Sequence, residues 1–279
     1  MSEEGPLETF ESIALRHSAR GMDILSEALG PGYITKAAEA LLSEEKGTVL
    51  ITTGFYVGGA AETDGPPGAW CVAKTLGALG FTPVIVTDAL CSGIFEGSGI
   101  PAVYADMDLG EEDCLKLLED LKPSCLISVE RCGLNAKGFY GNASGQDIGR
   151  WTAPLSKLFE AASRRGYLTI GIGDGGNEIG MGSLRDLIEE KLDIIPCTTA
   201  CDHLIAATTS NWGAYALCAA LEKASGTACF PSAEDTAFFL AETVTKGLVN
   251  AGTKTPEFAV DGFPGKVGMQ VIEDLHSLI

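Results

Sequence analysis

Short runs of β-branched and other apolar residues alternate along the chain with longer stretches of helical periodicity. The predicted strands are TVLITT, PVIVTD, CLISVE, YLTIGIG, LDIIPC and EFAVDG. Apolar residues three and four positions apart predict helices at Tyr33–Glu45, Gly68–Leu79, Glu111–Leu121, Pro154–Arg164, Asn177–Glu190, Trp212–Lys223, Ala233–Val249 and Lys266–Leu278. This alternation predicts an α/β fold with a mostly parallel or mixed sheet and helices on both faces.

The first part of the chain differs from the rest because it carries no strand pattern. Residues 1–42 are predicted to form a helical arm or cap that packs on the sheet or on a neighbouring subunit. Residues 43–279 are then one continuous α/β catalytic domain, which is long enough to bury its own core. The separate arm and the apolar helices favour a homo-oligomer.

Composition excludes several classes of partner. The chain has 38 acidic and 19 basic residues, a net charge of -19, which repels nucleic acid and anionic membrane surfaces. Nine cysteines without a CxxC pair indicate a reduced compartment. The acidic amino-terminal segment lacks the features of a secretion signal or transit peptide, and no apolar run approaches membrane-spanning length. We therefore expect a cytoplasmic protein.

Acidic residues follow several of the predicted strands. Asp88, Glu130, Asp174 and Asp261 come at the ends of four of them, and the loop after the first strand adds Glu62 and Asp64. Each could separately be a helix cap or a turn residue. Because ligands bind at the carboxyl ends of strands in open α/β sheets, the set together predicts an acidic pocket. Oxygen ligands select a hard divalent cation such as Mg²⁺, Mn²⁺ or Ca²⁺.

The segment GIGDGGNEIGMG, Gly171–Gly182, is the most specific string in the chain. We interpret it as a strand, a glycine turn and a helix with Asn177 as its N-cap, so that Asp174 and Glu178 share one side of the helix mouth. Its GxGxxG pattern is weak support for a dinucleotide fold. GDGGNE also resembles the metal loop of haloacid-dehalogenase-type phosphatases, and Asp106–Asp108 imitates their DxD nucleophile in the wrong chain order.

A second candidate anion site lies at the start of a later helix. Ser210, Asn211 and Trp212 bring hydroxyl and amide groups to a helix amino terminus whose backbone amides favour anions. They are candidates for binding a substrate carboxylate, although Ser210 or Asn211 could equally be a simple N-cap. The chain has no Walker lysine, no GxSxG elbow and three histidines, which disfavours nucleotide hydrolysis and a histidine-based triad.

The strings TTGF, ETDGPPGA, SVERCG, GIGDGGNEIGMG and TTSNWGAYAL, in that order, resemble the carboxyl-terminal domain of D-glutamate cyclases and its free-standing prokaryotic relatives. The resemblance runs from about Ile51 to the end of the chain. It implies an intramolecular dehydration of D-glutamate to 5-oxo-D-proline. The chain departs from the family pattern at Cys132 and at Asn142–Gly145, where the family has a proline and an Asn-Met-Arg-Gly string.

These observations together give a hypothesis for a metal-dependent lyase acting on a small amino or carboxylic acid. In it, Asp64, Asp174 and Glu178 hold the divalent cation. Arg131 and Lys137, with Ser210 and Asn211, bind the substrate, while Asp88 and Glu130 transfer protons beside Asp174. Glu62, Asn177 and Asp261 are secondary candidates. The alternatives are a Mg²⁺-dependent phosphatase-like hydrolase and a non-catalytic protein that binds a metal or an amino acid.

Overall fold

A six-stranded parallel sheet forms the centre of the computed structural model, which describes residues 8–279. Its strands are β1 Thr48–Thr53, β2 Thr82–Thr87, β3 Ala102–Tyr104, β4 Pro123–Val129, β5 Leu168–Gly173 and β6 His203–Ala206. They lie in the order β3-β2-β1-β4-β5-β6, and every neighbouring pair is parallel. The chain order therefore reverses direction at β1, which opens a crevice at the carboxyl ends of β1 and β4.

Helices cover both faces of this sheet. They are α1 Phe10–Ala14, α2 Met22–Leu29, α3 Tyr33–Ser43, α4 Pro66–Ala78, α5 Glu111–Leu121, α6 Ser156–Arg164, α7 Arg185–Lys191, α8 Ser210–Ser225, α9 Ala233–Thr245 and α10 Gly265–His276. Successive side chains of β1 point to opposite faces, so Val49 and Ile51 join the core under α1, α3, α4 and α8, while Leu50 joins the core under α5 and α6. The predicted α/β fold is thus confirmed.

One predicted helix is largely wrong. The sequence pattern places a helix at Asn177–Glu190, but residues 174–181 form a loop, a 3-10 turn covers Gly182–Leu184, and α7 begins only at Arg185. Gly176 and Gly180 have φ angles of 113° and 104°, which lie outside the helical region. The apolar residues whose spacing predicted a helix lie in a loop instead, and Asn177 is not a helix N-cap.

Two predicted strands are also wrong as members of the central sheet. LDIIPC is irregular, and its place is taken by β6; Pro196 has no backbone N–H to donate to a central ladder. In EFAVDG only Ala259–Val260 is extended, and it pairs antiparallel with Phe263–Pro264. Asp261 and Gly262 between them have φ angles of 51° and 82°, as a two-residue hairpin turn requires.

The first three helices pack on the sheet edge at β6 and on α8. The Tyr33 hydroxyl donates to the Ala206 carbonyl at 2.8 Å, and the Thr208 amide donates to the Ala14 carbonyl at 2.9 Å. The amino-terminal arm is therefore joined to the segment in which β6 leads into α8. Its boundary near residue 42 stays a prediction. None of the described helices has both the length and the apolar character that a bilayer crossing requires.

Candidate active site

A cleft of about 1050 Å³ opens at the carboxyl edge of the sheet. One part of its wall is acidic and comes from the loops after β1, β4 and β5, and from the hairpin turn: Glu62, Glu130, Asp174, Glu178 and Asp261. Another part is aromatic, where the rings of Tyr56 and Trp151 stack at 4.3 Å with an interplanar angle of 7°. The cleft therefore combines charged groups with an apolar surface, as small-molecule sites commonly do.

Three carboxylates converge at the bottom of this region. One oxygen each of Asp64, Glu130 and Asp174 lie within 4.8 Å of one another, and all three side chains are buried. We call these three residues the acidic centre. Asp64 and Asp174 belong to the predicted cation-binding set, whereas Glu130 was predicted to transfer protons. The structure thus groups Glu130, and not Glu178, with the other two.

Asp64 is held at the amino terminus of α8. Its Oδ2 accepts a hydrogen bond from the Ser210 amide, and its Oδ1 accepts one from the Asn211 amide, both at 2.8 Å. Oδ1 also accepts from the Gly65 amide at 3.0 Å. The first amides of a helix are free donors that favour an anion. The predicted anion site at this helix start is therefore filled by a carboxylate of the chain itself.

Ser210 and Asn211 position the acidic centre and do not line the cleft. The Ser210 hydroxyl donates to Glu130 Oε2 at 2.5 Å. The Asn211 side chain accepts from the amides of Gly65 and Gly68 and donates to the Thr63 carbonyl at 2.9 Å. Both side chains are fully buried, so the predicted direct contact with a substrate does not fit their placement.

The loop after β5 places Asp174 and turns Glu178 toward its own backbone. Glu178 Oε2 accepts a hydrogen bond from the Gly176 amide at 2.7 Å, although the residue also lines the cleft. Asn177 donates to the Gly141 carbonyl at 2.7 Å and so joins this loop to the segment that follows β4. Glu178 therefore stabilises the loop on which Asp174 stands.

Burial dominates the electrostatics of these carboxylates. Desolvation, followed by the charge of Asp261, raises the pKa of Asp64 to about 7. Desolvation also raises the pKa of Glu62, Glu130 and Asp174 well above their ordinary values, and neighbouring carboxylates add to the effect. Like charges held this close repel each other when ionised. The site therefore favours either a proton or a cation between the carboxylates.

An arginine of the amino-terminal arm enters this cleft, and no local sequence pattern marked it. Arg20 Nη2 donates to Asp174 Oδ2 at 2.6 Å, to Asp261 Oδ2, and to the Thr208 carbonyl at 3.2 Å. Burial by itself lowers the pKa of this guanidinium, but the charges of Asp174, Asp261 and Glu130 outweigh it and the pKa is raised. Arg20 is thus a permanently charged counter-ion to part of the acidic wall.

Three predicted site residues lie elsewhere. Arg131 Nη2 donates to Asp88 Oδ2 at 2.5 Å, and both side chains are fully buried outside the lining of the cleft. Arg131 also donates to the carbonyls of Gly54 and Ala153, which makes the pair a link between loops. Lys137 is exposed in a turn that does not line the cleft. None of the three side chains contacts the acidic centre, so their predicted roles do not fit this placement.

Comparisons with known proteins identify one matching family. A family model described as D-glutamate cyclase-like, C-terminal, matches residues 10–276. Human mitochondrial D-glutamate cyclase is 32% identical over 204 residues, which cover 62% of this chain and 32% of that protein. The chain thus spans about a third of the length of this curated relative.

Likeness to solved structures is weak. An exopolyphosphatase-related protein from Bacteroides fragilis is 9% identical, and the match covers 90% of this chain and 57% of that one with a TM-score of 0.45. UDP-glucose 4-epimerase from Thermus thermophilus in complex with NAD is 18% identical, and the match covers 46% and 38% of the two chains with a TM-score of 0.31. Matches at these TM-scores carry no argument about function.

Proposed function

The chain belongs to the D-glutamate cyclase-like, C-terminal family, and from this membership we propose that it is a hydro-lyase that converts D-glutamate to 5-oxo-D-proline and water. The amine nitrogen forms a bond to the side-chain carboxyl carbon, and one carbon–oxygen bond of that carboxyl group breaks. The ammonium group gives up two protons, and the departing oxygen leaves with them as water. The cytoplasmic location and the homo-oligomeric state stay predictions.

The observation that carries this proposal is the acidic centre, buried in the segments shared with the family. Three carboxylate oxygens within 4.8 Å of one another are a hard donor set suited to Mg²⁺, Mn²⁺ or Ca²⁺. We assign Asp64, Glu130 and Asp174 to hold such a cation. When bound, it supplies Lewis-acid polarisation of the carboxyl group that reacts.

The side chains of the cleft supply binding and proton transfer. Glu62 and Glu178 line the cleft and lie outside the acidic centre, so we assign them to take a proton from the ammonium group and to return one to the departing oxygen. The stacked rings of Tyr56 and Trp151 provide an apolar surface for the methylene groups of the substrate. Glu62, a secondary candidate in the sequence, thereby replaces Asp88 in this role.

The phosphatase alternative has no support at this site. It needs Asp106 and Asp108 as a nucleophile pair, yet both are exposed after β3 and neither lines the cleft. A non-catalytic protein that binds a metal or an amino acid would use the same cleft without turnover. Turnover of D-glutamate therefore separates this alternative from the enzyme.

The test combines cation binding with product formation. We expect wild-type protein to bind Mn²⁺ in calorimetry and to form 5-oxoproline from D-glutamate, followed by NMR. Asp174→Asn replaces one negatively charged carboxylate of the acidic centre with a neutral amide. We therefore expect the affinity for Mn²⁺ to fall at least about tenfold and the turnover rate to fall about a hundredfold or more. Asp106→Asn, exposed and outside the cleft, is the matched control and should behave as wild type. Absence of product with Mn²⁺, Mg²⁺ and Ca²⁺ alike would rule the proposal out.

A further inference from the structure

Arg20 is held in the cleft by a turn that other residues fix from both sides. The turn joins α1 to α2, and the His17 ring packs at 5.9 Å from the Phe263 ring and at 6.5 Å from the Trp212 ring. Gly21 follows with a φ of 78°, and a Cβ at this position would lie 2.2 Å from Leu192. The guanidinium is therefore positioned by the fold and needs little ordering when a ligand arrives.

The hydrogen bonds of Arg20 leave part of its guanidinium free. All three contacts with the described residues use Nη2, which donates to Asp174, Asp261 and the Thr208 carbonyl. The side chain is 44% exposed and lines the cleft. Nη1 and Nε have no hydrogen-bond partner among residues 8–279 and can bind a ligand. A guanidinium with free N–H groups is the side chain best suited to receiving a carboxylate through two parallel hydrogen bonds.

Because the cleft wall is acidic, a carboxylate ligand needs a cationic side chain in the cleft. A dicarboxylate that enters beside Glu62, Glu130 and Asp174 meets repulsion that a cation has to offset. Lys191 and Lys254 also line the cleft, but Lys191 pairs with Glu190 at 2.8 Å, and the Lys254 stem lies 3.4 Å from the point where a Cβ at Gly58 would stand. Of the three cations, Arg20 is the one that contacts the acidic centre.

We propose that Arg20 binds the carboxylate of the substrate that does not react, and thereby makes the site selective for small dicarboxylic acids. The identity of that substrate rests on the proposed function. The existence of a carboxylate-binding subsite at Arg20 does not depend on it. Arg20 has a second effect, because its charge beside Asp174 opposes the binding of a divalent cation. Its removal should therefore weaken substrate binding and leave cation binding equal or stronger, whereas loss of a merely structural residue would weaken both.

The experiment compares Arg20→Gln, Arg20→Lys and Arg16→Gln in the full chain. Arg16 is a matched control, since it belongs to the same arm and pairs with Glu8 and Asp274, but does not line the cleft. Calorimetry measures binding of D-glutamate with and without Mn²⁺, of glutarate, which lacks the amine, and of D-2-aminobutyrate, which lacks the second carboxylate. A thermal melt of each variant reports on folding.

For Arg20→Gln we expect D-glutamate and glutarate to bind about tenfold to a hundredfold more weakly, as for the loss of charge-assisted hydrogen bonds. Mn²⁺ affinity should be unchanged or higher. D-2-aminobutyrate keeps the carboxylate that does not react, so its binding should weaken by a factor similar to that for D-glutamate. Arg20→Lys should recover part of the binding, because the charge returns without the planar fork. Arg16→Gln should bind all probes as wild type does.

The outcomes separate this inference from the proposed function. Wild-type turnover combined with unchanged D-glutamate binding by Arg20→Gln overturns the inference alone. Arg20-dependent binding of glutarate and D-glutamate without turnover supports the inference and overturns the cyclase proposal. A parallel loss of Mn²⁺ binding and melting temperature in Arg20→Gln assigns the residue to folding and overturns the inference, as does a wild type that binds neither dicarboxylate.

Discussion

Two acidic residues of the cleft have backbone conformations that are unusual for any residue except glycine. Glu130 has a φ of 47° directly after β4, and Asp261 has a φ of 51° in the hairpin turn. A non-glycine residue in the left-handed region costs on the order of 1 kcal/mol or more, and such residues concentrate at functional sites. Asp261 pairs with the Arg20 guanidinium, whereas Glu130 lies beside the carboxylates of Asp64 and Asp174. At Glu130 the fold therefore accepts backbone strain and charge repulsion at the same residue.

Substitution of Glu130 should separate stability from activity. In Glu130→Gln the amide oxygen can still accept from Ser210, while the charge in the acidic centre is lost. We expect turnover to fall about a hundredfold or more and the melting temperature of cation-free protein to rise, because repulsion is relieved. The exposed Glu111→Gln, from the surface pair with Arg164, should change neither. A Glu130→Gln protein with wild-type turnover would contradict the assignment of Glu130 to the site.

At the scale of elements, the contact between α4 and α8 sets the position of Asp64. Gly68 stands near the start of α4, and a Cβ there would lie 2.8 Å from Asn211 Oδ1 and 2.9 Å from the Ala214 side chain. The two helices approach this closely because position 68 has no side chain. Asn211, whose amide binds Asp64, is thereby joined to the amides of Gly65 and Gly68.

Gly68→Ala should therefore damage both the packing and the site. Overpacking of this kind costs about 1–3 kcal/mol, and movement of Asn211 should also weaken Mn²⁺ binding. Gly77→Ala is the matched control, because Gly77 lies on the same helix with open space around its Cβ position. It should leave Mn²⁺ affinity unchanged and add up to about 1 kcal/mol of stability, since alanine favours a helix over glycine. Denaturant unfolding and calorimetry measure the two effects, and equal behaviour of the variants would argue against close packing at Gly68.

Elements with strong local patterns could be predicted from the sequence. β1 and β4 are short runs rich in β-branched and apolar residues, and both are buried over almost their whole length; Glu111–Leu121 matches α5 at both ends. β6 was missed because it has four residues, too few for a pattern. The hairpin around Asp261 did carry a signal, since Asp-Gly between apolar residues favours a two-residue turn.

The site could be predicted only as far as strand ends determine it. Glu130 and Asp174 follow directly after β4 and β5, so parallel topology alone brings them to one edge. Asp88 also follows a strand, but the fully buried guanidinium of Arg131 binds it instead. Arg20 is 154 positions from Asp174, and nothing near it in the sequence indicates that the arm folds back over the sheet. Partners this far apart along the chain are set by tertiary packing, which local patterns do not encode.

At the scale of the whole molecule, acidic residues are both numerous along the chain and clustered in the acidic centre. Most of the acidic residues behind the formal net charge of -19 reach solvent, which screens their charges, whereas the carboxylates of the acidic centre are buried and screened much less. When all carboxylates of the acidic centre are ionised, their mutual repulsion therefore lowers the stability of the folded protein. A bound cation relieves that repulsion, so the stability of the whole molecule should depend on cation and proton concentration together.

The pH dependence of stability follows from the direction of these shifts. The folded protein holds the pKa of Asp64 at about 7, above the ordinary 3.8 of an unfolded chain, so between these values the folded state binds a proton that the unfolded state does not. Stability from this group is thus present at low pH and lost as pH rises through about 7, and the raised pKa values of Glu62, Glu130 and Asp174 act in the same sense.

We expect the melting temperature of chelator-treated protein to rise by several degrees from about pH 8 to about pH 6. Saturating Mn²⁺ should stabilise the protein at the higher pH and do so less at the lower, where protons compete for the same oxygens. Melting curves that do not change with pH, or a cation effect that grows as pH falls, would show that these carboxylates are not coupled in this way.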